Sequence, residues 1–387
     1  NKERYFERYG IHTKKRINGK LIWFHCSSVG ELLSIIPLIE KIELSSKISQ
    51  ILITTTTLSS SKIFLNLKLK KTVHQFIPID NVFIIKKFLK YWRPSACFLC
   101  ESEIWPNLIY TIHENKIKLI LINARMTKKS FNKWKKIKFY SNEIFNKFDL
   151  CFAQNKETCE RLAILGAKKI LDIGNLKFTT SKKFKTDLLD KKTLNFFKNK
   201  KILITAVSTH YNEEDFIIQN HYDLKKRKKD KKFVSIIIPR HIERTNQIKG
   251  EIEKASLKTY LHSSKKPIGI DTDIYLVDTY GEVNKFYKIS NLVFMGGSLI
   301  KHGGQNPLEA AKLNCKIIHG PSISNFTEIY KKLKLMKISK EFKTYNQGYK
   351  IIYKSLHKKR IGFENKKLIK YGEKILNITY FKILKLI

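Results

Sequence analysis

Short apolar runs alternate with longer amphipathic stretches along the whole chain. The runs are short and strongly apolar, which is typical of buried strands, and stretches such as "GELLSIIPLIEKI" and "PLEAAKL" have a helical pattern. Because the two kinds of segment alternate, the pattern predicts an α/β protein whose parallel sheets carry helices on both faces. The predicted strands are residues 21–26, 51–54, 75–77, 96–100, 119–122, 150–153, 201–206, 233–238, 274–277, 292–295 and 316–318.

A polar, basic segment separates the strands of the first half from those of the second. Residues 179–201 carry no strand signal, so we place a domain boundary near Lys182. The chain is therefore predicted to form two Rossmann-like, doubly wound domains, 1–181 and 182–387. Two such domains that face each other enclose a central cleft at the carboxyl ends of both sheets, where this architecture binds its ligands.

Composition adds a strong charge to this picture. The chain has 387 residues, and 42% of them are hydrophobic, which is enough for a large core. Lys and Arg total 76 against 33 Asp and Glu, a net charge of +43. This excess indicates an anionic partner: nucleic acid, an anionic membrane surface or a phosphorylated substrate. The alternative is surface lysine that reflects the composition of an AT-rich genome.

Three carboxylates follow predicted strands of the first half. Glu31 opens a helix directly after strand 21–26, and a helix N-terminus stabilises a carboxylate. Glu101 and Glu103 follow strand 96–100, and in an extended chain they point to opposite sides, so that one enters the cleft and the other pairs within the protein. The alternative for Glu31 is an ordinary glutamate in the first turn of a helix, and the alternative for Glu101 and Glu103 is a solvated acidic loop.

The strand ends of the second half carry hydroxyls, basic groups and glycines. They read "VSTHYNEED", "PRHIER", "DTYGE" and "FMGGSLIKHGGQNPLEAA", which suits a phosphate or a nucleotide. None contains a P-loop or a G-x-G-x-x-G fingerprint, which argues against a P-loop NTPase and a dinucleotide site. The histidines lack metal-ligand spacing and the C-x-x-C pair Cys97/Cys100 has no second pair, so no metal is expected.

The glycine-rich stretch of the second half ends in a helix start. Asn306 suits an N-cap, Pro307 the first helical position, and Glu309 stands where a capping box places its acid. The glycine pairs 296–297 and 303–304 let backbone approach a ligand closely. Two interpretations are open: a well-capped helix after a flexible loop, or a site in which Glu309 accepts ribose hydroxyls while backbone N–H groups hold phosphate.

Taken together, these motifs resemble those of the 3-deoxy-D-manno-octulosonic acid (Kdo) transferases of lipopolysaccharide synthesis. The resemblance covers roughly residues 4–326 and keeps the order of the family's motifs. The matching segments are "ERYG", "HCSSVGE", "ESEIWPNLI", "NARMTKKS", "AQNKET", "LGAKK", "GNLKF", "STHYNEE", "PRHIER", "DTYGE", "FMGGSLIKHGGQNPLEAA" and "GPSISNF".

The resemblance implies a GT-B fold, with the acceptor in the first domain and the donor nucleotide in the second. It implies transfer of Kdo from CMP-Kdo to a lipid A precursor, lipid IVA, with inversion and without a cofactor. Glu31 matches the family's general base, and Glu101 and Lys177 match its transition-state stabilisers. The CMP-binding positions match Pro239, Arg240, Tyr280, Gly281, Glu282, Asn306, Pro307, Leu308 and Glu309.

The chain departs from the family pattern in three places. Gln305 stands where the family commonly has histidine, and Asn175 where it often has serine. The family's hydrophobic N-terminal anchor is not in the chain, which contains no apolar run long enough to span a bilayer and no signal peptide. We expect the cytoplasmic face of the bacterial inner membrane, reached peripherally or through an anchor upstream of this chain.

Residues 128–148 are the best candidate for contact with an anionic membrane. Basic residues interleave there with Phe131, Trp134, Ile137, Phe139, Ile144 and Phe145, which predicts a basic amphipathic helix. The alternative is a helix packed on the sheet with its lysines in water.

Two other functions compete with Kdo transfer. One is another GT-B glycosyltransferase with a different nucleotide sugar. The other is a basic nucleic-acid-binding protein, which needs aromatic–basic platforms or a reader motif. The sequence shows neither feature, so no nucleic-acid partner is expected.

Overall fold

The computed structural model describes residues 2–181, 188–227, 233–356 and 365–387. The chain forms two compact units, Asn1–Phe184 with Ile369–Ile387, and Lys185–Leu368. The predicted boundary at Lys182 lies outside the described residues. The predicted second domain, 182–387, differs from this division because the C-terminal segment belongs to the first unit.

The first unit contains a sheet of seven parallel strands. They are β1 (Leu21–Cys26), β2 (Gln50–Thr55), β3 (Thr72–Phe76), β4 (Ala96–Cys100), β5 (Lys118–Ala124), β6 (Leu150–Ala153) and β7 (Ile170–Asp172). Their order is β3-β2-β1-β4-β5-β6-β7, so the winding direction reverses between β1 and β4. Strands β1, β2 and β4 are buried along their whole length, because helices cover both faces of the sheet.

Helices connect these strands, and many begin at a side-chain cap. Ser28, Thr57 and Asn81 accept backbone N–H groups at the first turns of α2, α3 and α4. Such caps fix each helix start just beyond the carboxyl end of a strand. The helices are α1 (Lys2–Tyr5), α2 (Val29–Glu43), α3 (Leu58–Leu65), α4 (Val82–Trp92), α5 (Pro106–Glu114), α6 (Lys128–Lys136), α7 (Lys138–Phe145) and α8 (Lys156–Ile164), with 3₁₀ turns at Phe6–Tyr9 and Leu176–Phe178.

The second unit repeats the architecture with another seven-stranded parallel sheet. Its strands are β8 (Lys201–Thr209), β9 (Phe233–Pro239), β10 (Thr259–Leu261), β11 (Ile274–Leu276), β12 (Leu292–Met295), β13 (Lys316–His319) and β14 (Ser339–Glu341). The order β10-β11-β9-β8-β12-β13-β14 reverses between β8 and β12. Its helices are α9 (Lys191–Lys198), α10 (Glu214–Arg227), α11 (Thr245–Lys254), α12 (Val283–Tyr287), α13 (Leu308–Lys312), α14 (Thr327–Leu335) and α15 (Tyr345–Leu356), with a 3₁₀ turn at Ile242–Arg244.

The C-terminal helix α16 (Lys366–Leu386) packs on the first unit. The Tyr371 ring lies edge-on to Phe178, with their centroids 5.2 Å apart. A Cβ on Gly372 would lie 2.5 Å from the carbonyl oxygen of Phe178, so only glycine permits this approach. This docking explains why residues 369–387 do not belong to the second unit.

Two sequence expectations differ from the structure. The edge strands β7, β10 and β14 were not predicted, because each spans three residues and none is buried throughout. Residues 128–148 do not form one helix, because the backbone leaves helical geometry at Ile137 (φ −113°, ψ 52°) and separates α6 from α7.

Candidate functional site

The first unit gathers its polar side chains where the winding of its sheet reverses. Loops that follow β1 and β4 diverge there, which leaves a crevice at the carboxyl ends of these strands. Ser27, Ser28 and Glu31 follow β1, and Glu101 and Glu103 follow β4. The three predicted carboxylates therefore lie at one edge of one sheet.

Glu31 is held in the first turn of α2 by hydrogen bonds to both of its carboxylate oxygens. The Ser27 N–H donates to Oε2 at 2.8 Å, and the Ser28 hydroxyl donates to Oε1 at 3.0 Å. Ser28 also caps the helix by accepting the Glu31 N–H. Glu31 is therefore a capping residue as well as a candidate base.

The electrostatics of Glu31 distinguish it from an ordinary cap. Burial, together with the negative charges of Glu103 and Glu101, raises the pKa of Glu31 to about 7 against the lowering effect of the Ser27 and Ser28 hydrogen bonds. A carboxyl group with this pKa exchanges its proton near neutral pH, as a general base must.

Glu101 and Lys177 form a close ion pair at the same edge. Lys177 Nζ lies 2.6 Å from Glu101 Oε1, and both side chains are largely buried, at 22% and 7% exposure. The Asn123 amide lies 3.4 Å from the same oxygen. Glu101 has a φ of 53°, so the chain turns at this residue and does not stay extended to Glu103 as the sequence argument assumed.

Lys177 is positioned by two asparagines that sequence reasoning did not assign to the site. Asn175 accepts the Lys177 N–H at 2.8 Å and donates to Gln154 at 3.0 Å. Asn123 accepts the Leu176 N–H at 2.9 Å. Asn175, a departure from the family pattern, thus caps the 3₁₀ turn that carries Lys177.

The corresponding edge of the second unit lies where β8 and β12 diverge. Glu213 is fully buried there, and its carboxylate accepts four backbone N–H groups. The donors are His210 at 3.0 Å, Gly297 at 2.6 Å, Ser298 at 3.0 Å and Leu299 at 2.9 Å. One carboxylate therefore ties the loop after β8 to the glycine-rich loop after β12.

Positive and titratable groups surround this junction. The His210 ring lies 4.3 Å from the His302 ring and 5.9 Å from the His241 ring. Burial, the two histidines and the nearby arginines lower the pKa of His210 to about 4, so it is neutral at neutral pH. Arg244 donates to the fully buried Glu214 through two hydrogen bonds of 2.9 and 3.1 Å.

The predicted CMP-binding residues all lie at or after the carboxyl ends of strands of this second sheet. Pro239 ends β9 and Arg240 follows it, exposed, with its N–H bonded to Thr209 O at 3.0 Å. The segment from Tyr280 to Glu282 follows β11; the Tyr280 hydroxyl donates to Glu243 at 3.2 Å, and Glu282 pairs with Lys285 at 3.0 Å.

The remaining CMP-binding candidates, Asn306 to Glu309, enter α13. Asn306 Oδ1 accepts the Leu308 N–H at 3.1 Å, but the helix begins at Leu308 and Pro307 occupies the cap position, one residue later than the sequence predicted. Pro307 and Leu308 are buried, whereas Glu309 is exposed. Within the described part of the chain, Asn306 and Glu309 form neither of the two hydrogen bonds of a capping box, so the predicted box is wrong.

The glycines of this loop are explained by the protein's own packing. A Cβ on Gly296 would lie 2.2 Å from the Ser208 carbonyl oxygen, and Gly297, Gly303 and Gly304 have φ of 65°, 95° and 76°. The Gly304 N–H donates to Gly297 O at 2.8 Å, which closes the loop. These contacts require glycine whether or not a ligand is bound.

Some residues of the two sites were missed because they look ordinary in sequence. Glu213, Glu214 and Arg244 lie within quoted motifs, but nothing in the sequence shows that both glutamates are fully buried. Asn123 has a φ of 52°, a conformation that asparagine tolerates and that carries no sequence signature.

The described residues contain neither a metal-ligand cluster nor a membrane-spanning helix. Across 2–181, 188–227, 233–356 and 365–387, no three His, Cys, Asp or Glu side chains come close enough together to hold a metal ion. No helix in these ranges combines the length and the apolar character that crossing a membrane requires.

The chain is similar in sequence to known proteins. The family described as 3-deoxy-D-manno-octulosonic-acid transferase (kdotransferase) matches residues 3–180. A 3-deoxy-D-manno-octulosonic acid transferase of Rickettsia bellii is 36% identical over 84% of this chain and 77% of its own length. The enzyme of the same name from Rickettsia prowazekii is 35% identical over 84% of this chain and 69% of its own.

The solved structures agree on the fold. A glycosyltransferase from Rickettsia africae superposes with a TM-score of 0.57, covering 96% of this chain and 98% of that one, at 14% identity. Two Rossmann-like units with these sheet orders are the GT-B class predicted from sequence. With relatives of more than 30% identity over most of both chains, the chain belongs to the 3-deoxy-D-manno-octulosonic acid (Kdo) transferase family of glycosyltransferases.

Proposed function

We propose that the chain transfers Kdo from CMP-Kdo to a lipid A precursor, lipid IVA, with inversion and without a metal ion. In this proposal the first unit binds the acceptor and the second binds CMP-Kdo. The observation that carries it is Glu31, a carboxyl group with a pKa of about 7 beside the Glu101–Lys177 pair. A base of this pKa suits the removal of a hydroxyl proton near neutral pH.

The reaction is a single displacement in this proposal. Glu31 takes the proton of the acceptor hydroxyl while the oxygen forms a bond to the anomeric carbon of Kdo. The bond from that carbon to the CMP phosphate breaks, and its electron pair leaves with CMP. The transition state has oxocarbenium character, which the Glu101 carboxylate stabilises while Lys177 holds that carboxylate in place.

The second unit supplies the groups that would hold the leaving nucleotide. Arg240 is exposed directly after β9, next to His241, and its charge contributes to the lowered pKa of His210. Fixed positive groups and backbone N–H groups stabilise phosphate charge without a metal ion.

Incubation of the chain with CMP-Kdo and lipid IVA, followed by mass analysis, tests the proposal. A product heavier by Kdo, formed equally in the presence of EDTA, supports it. Transfer only from another nucleotide sugar favours the other glycosyltransferase. No transfer, with salt-sensitive binding of a random oligonucleotide, favours the nucleic-acid alternative.

Glu309 gives a prediction for the nucleotide site. Glu309→Ala should weaken CMP binding by roughly 1–3 kcal/mol if its carboxylate accepts ribose hydroxyls. Because Glu309 is exposed and forms no capping box with Asn306, the melting temperature should change little. Calorimetric titration with CMP measures the effect, and Glu328→Ala, on an exposed ion pair of α14, is the control. Unchanged affinity with a lower melting temperature would assign Glu309 to the helix cap instead.

We further propose that α6 and α7 contact an anionic membrane surface at the cytoplasmic face of the inner membrane. Trp134 and Phe145 pack against each other and anchor the two helices on the core, with ring centroids 5.5 Å apart. Phe139 projects from the junction at 82% exposure, among the exposed Lys135, Lys136 and Lys138. An exposed aromatic side chain next to several lysines can insert at the surface of a membrane while the lysines bind its anionic headgroups.

Vesicle binding tests this surface. Replacing Lys135, Lys136 and Lys138 with Ala should weaken binding to anionic vesicles roughly 100-fold, because each lysine contributes about 1 kcal/mol. Binding of the parent should fall steeply as salt rises. The control replaces three exposed lysines of the second unit, Lys340, Lys343 and Lys350. Equal binding of the parent to neutral and anionic vesicles would contradict the proposal.

A further inference from the structure

Glu103, to which no motif assigned a role, is held by two short hydrogen bonds at the first unit's site. Its Oε2 accepts the Ser27 hydroxyl at 2.5 Å and the Trp105 indole N–H at 2.7 Å. The side chain is 15% exposed. These two hydrogen bonds fix a charge that the fold could have left in solvent.

A buried chain of polar groups reaches Glu103 from the core. The Trp23 indole N–H donates to the Thr54 hydroxyl at 2.9 Å, and that hydroxyl lies 3.0 Å from His25 Nδ1. His25 Nε2 lies 3.5 Å from Glu103 Oε2, at the outer limit of a hydrogen bond. His25 Nδ1 also lies 3.2 Å from the Thr54 carbonyl oxygen, so Thr54 holds the ring at this nitrogen and Nε2 is turned toward the carboxylate.

Ser27 connects Glu103 to Glu31. Its hydroxyl donates to Glu103 and accepts the Thr56 hydroxyl at 3.1 Å, while its backbone N–H donates to Glu31 Oε2 at 2.8 Å. A side chain held at both ends of its hydroxyl restricts its own backbone. Ser27 therefore presents its N–H to Glu31 in one fixed direction.

Charge provides a second connection. Burial alone would raise the pKa of Glu103, but hydrogen bonds from His25, Ser27 and Trp105 lower it below the ordinary value, so Glu103 is ionised at neutral pH. That negative charge raises the pKa of Glu31 more than the charge of Glu101 does. Lys177 pairs with Glu101, and the buried thiols of Cys26 and Cys100 stay neutral because burial raises their pKa.

We propose that Glu103 is a positioning residue for the reaction, which aligns Glu31 through Ser27 and acts on it through its own fixed negative charge. It does not touch the reacting atoms in this arrangement. The inference rests on the proposed role of Glu31 as general base. The two glutamates after β4 then have different roles: Glu101 pairs with Lys177, and Glu103 accepts the hydrogen bond of Ser27.

The test is the pH dependence of transfer by the full chain with CMP-Kdo and lipid IVA. Glu103→Gln keeps an acceptor for Ser27 but removes the charge, so the limb that rises with pH should move to lower pH by roughly one unit. Ser27→Ala keeps the charges of Glu31 and Glu103 but removes the hydroxyl that holds the Ser27 backbone, so kcat should fall roughly tenfold. The pH at which the rate rises should not change. Glu157→Gln, an exposed carboxylate paired with Arg161, is the control and should match the parent.

Each outcome bears on one claim. A limb that does not move in Glu103→Gln, or moves to higher pH, overturns the charge connection. A parent-like kcat in Ser27→Ala overturns the alignment, and this variant decides that claim even if Glu103→Gln fails to fold. If Glu31→Gln itself retains the limb, the proposed base is wrong; if Glu31→Gln loses the limb while the other two variants match the parent, only the role of Glu103 fails.

Discussion

Glu31→Gln is expected to slow Kdo transfer about 10²–10⁴-fold, the usual effect of losing a general base, while the fold and CMP binding persist. Glutamine keeps the length of the side chain and can still accept the Ser27 N–H that now reaches Oε2 at 2.8 Å. It cannot take a proton from the acceptor. The loss should therefore fall on kcat and not on nucleotide affinity.

The pH profile identifies which step is lost. The parent rate should rise with pH through about 7, because only ionised Glu31 accepts a proton. Glu31→Gln should lose this limb. Glu101→Gln should also slow transfer, because it removes charge stabilisation next to Lys177, but the limb should remain. A Glu31→Gln variant that keeps more than about a tenth of the parent rate would move the base assignment to Glu101 or Glu103.

Stability should change in the opposite sense to activity. The pKa of Glu31 is raised on folding, so the folded state binds a proton that the unfolded state has released between about pH 4.5 and 7. The stability that this proton provides is present at low pH and is lost as pH rises through about 7. Glu31→Gln carries no such penalty, so at pH 8 it should melt higher than the parent. A lower melting temperature at pH 8 would show that ionised Glu31 stabilises α2 through its hydrogen bonds.

The strands that sequence alone predicted are those buried on both faces. Runs such as Leu21–Cys26 and Ala96–Cys100 are fully buried, so nearly every position must be apolar and the pattern is plain. The strands that it missed, β7, β10 and β14, lie at sheet edges, and none of them is buried throughout. Three half-buried residues do not form a pattern that differs from a loop.

The candidate site divides in the same way. Glu31 and Glu101 were identified because they follow predicted strands, whose carboxyl ends mark the edge of a parallel sheet, and Lys177 because its segment resembles a motif of the family. The residues that hold this pair were not predicted, because Asn123 in β5, Gln154 after β6 and Asn175 after β7 meet only in the folded chain. The docking of α16 depends on a similar long-range fit, in which Gly372 lets the helix backbone approach Phe178.

Glu213 is another residue whose role the sequence does not reveal, because it fixes a loop through its buried carboxylate. Its carboxylate is fully buried and accepts N–H groups from His210, Gly297, Ser298 and Leu299. A carboxylate offers acceptors on both oxygens, whereas glutamine turns one oxygen into an amide that faces N–H donors. Buried donors then lose their partners, and each loss costs about 1–3 kcal/mol.

Glu213→Gln is therefore expected to destabilise the second unit by about 3–5 kcal/mol and to weaken CMP binding, because the loop that leads to Asn306 and Glu309 loses its anchor. Thermal melting with and without CMP measures both effects, since a ligand that binds only the folded state raises the melting temperature. The variant should melt lower and gain less from CMP than the parent. Glu253→Gln, which removes an exposed carboxylate 3.6 Å from Lys249, should behave as the parent does. If Glu213→Gln melts with the parent and keeps its response to CMP, the four hydrogen bonds do not fix the loop, and the glycines alone determine its shape.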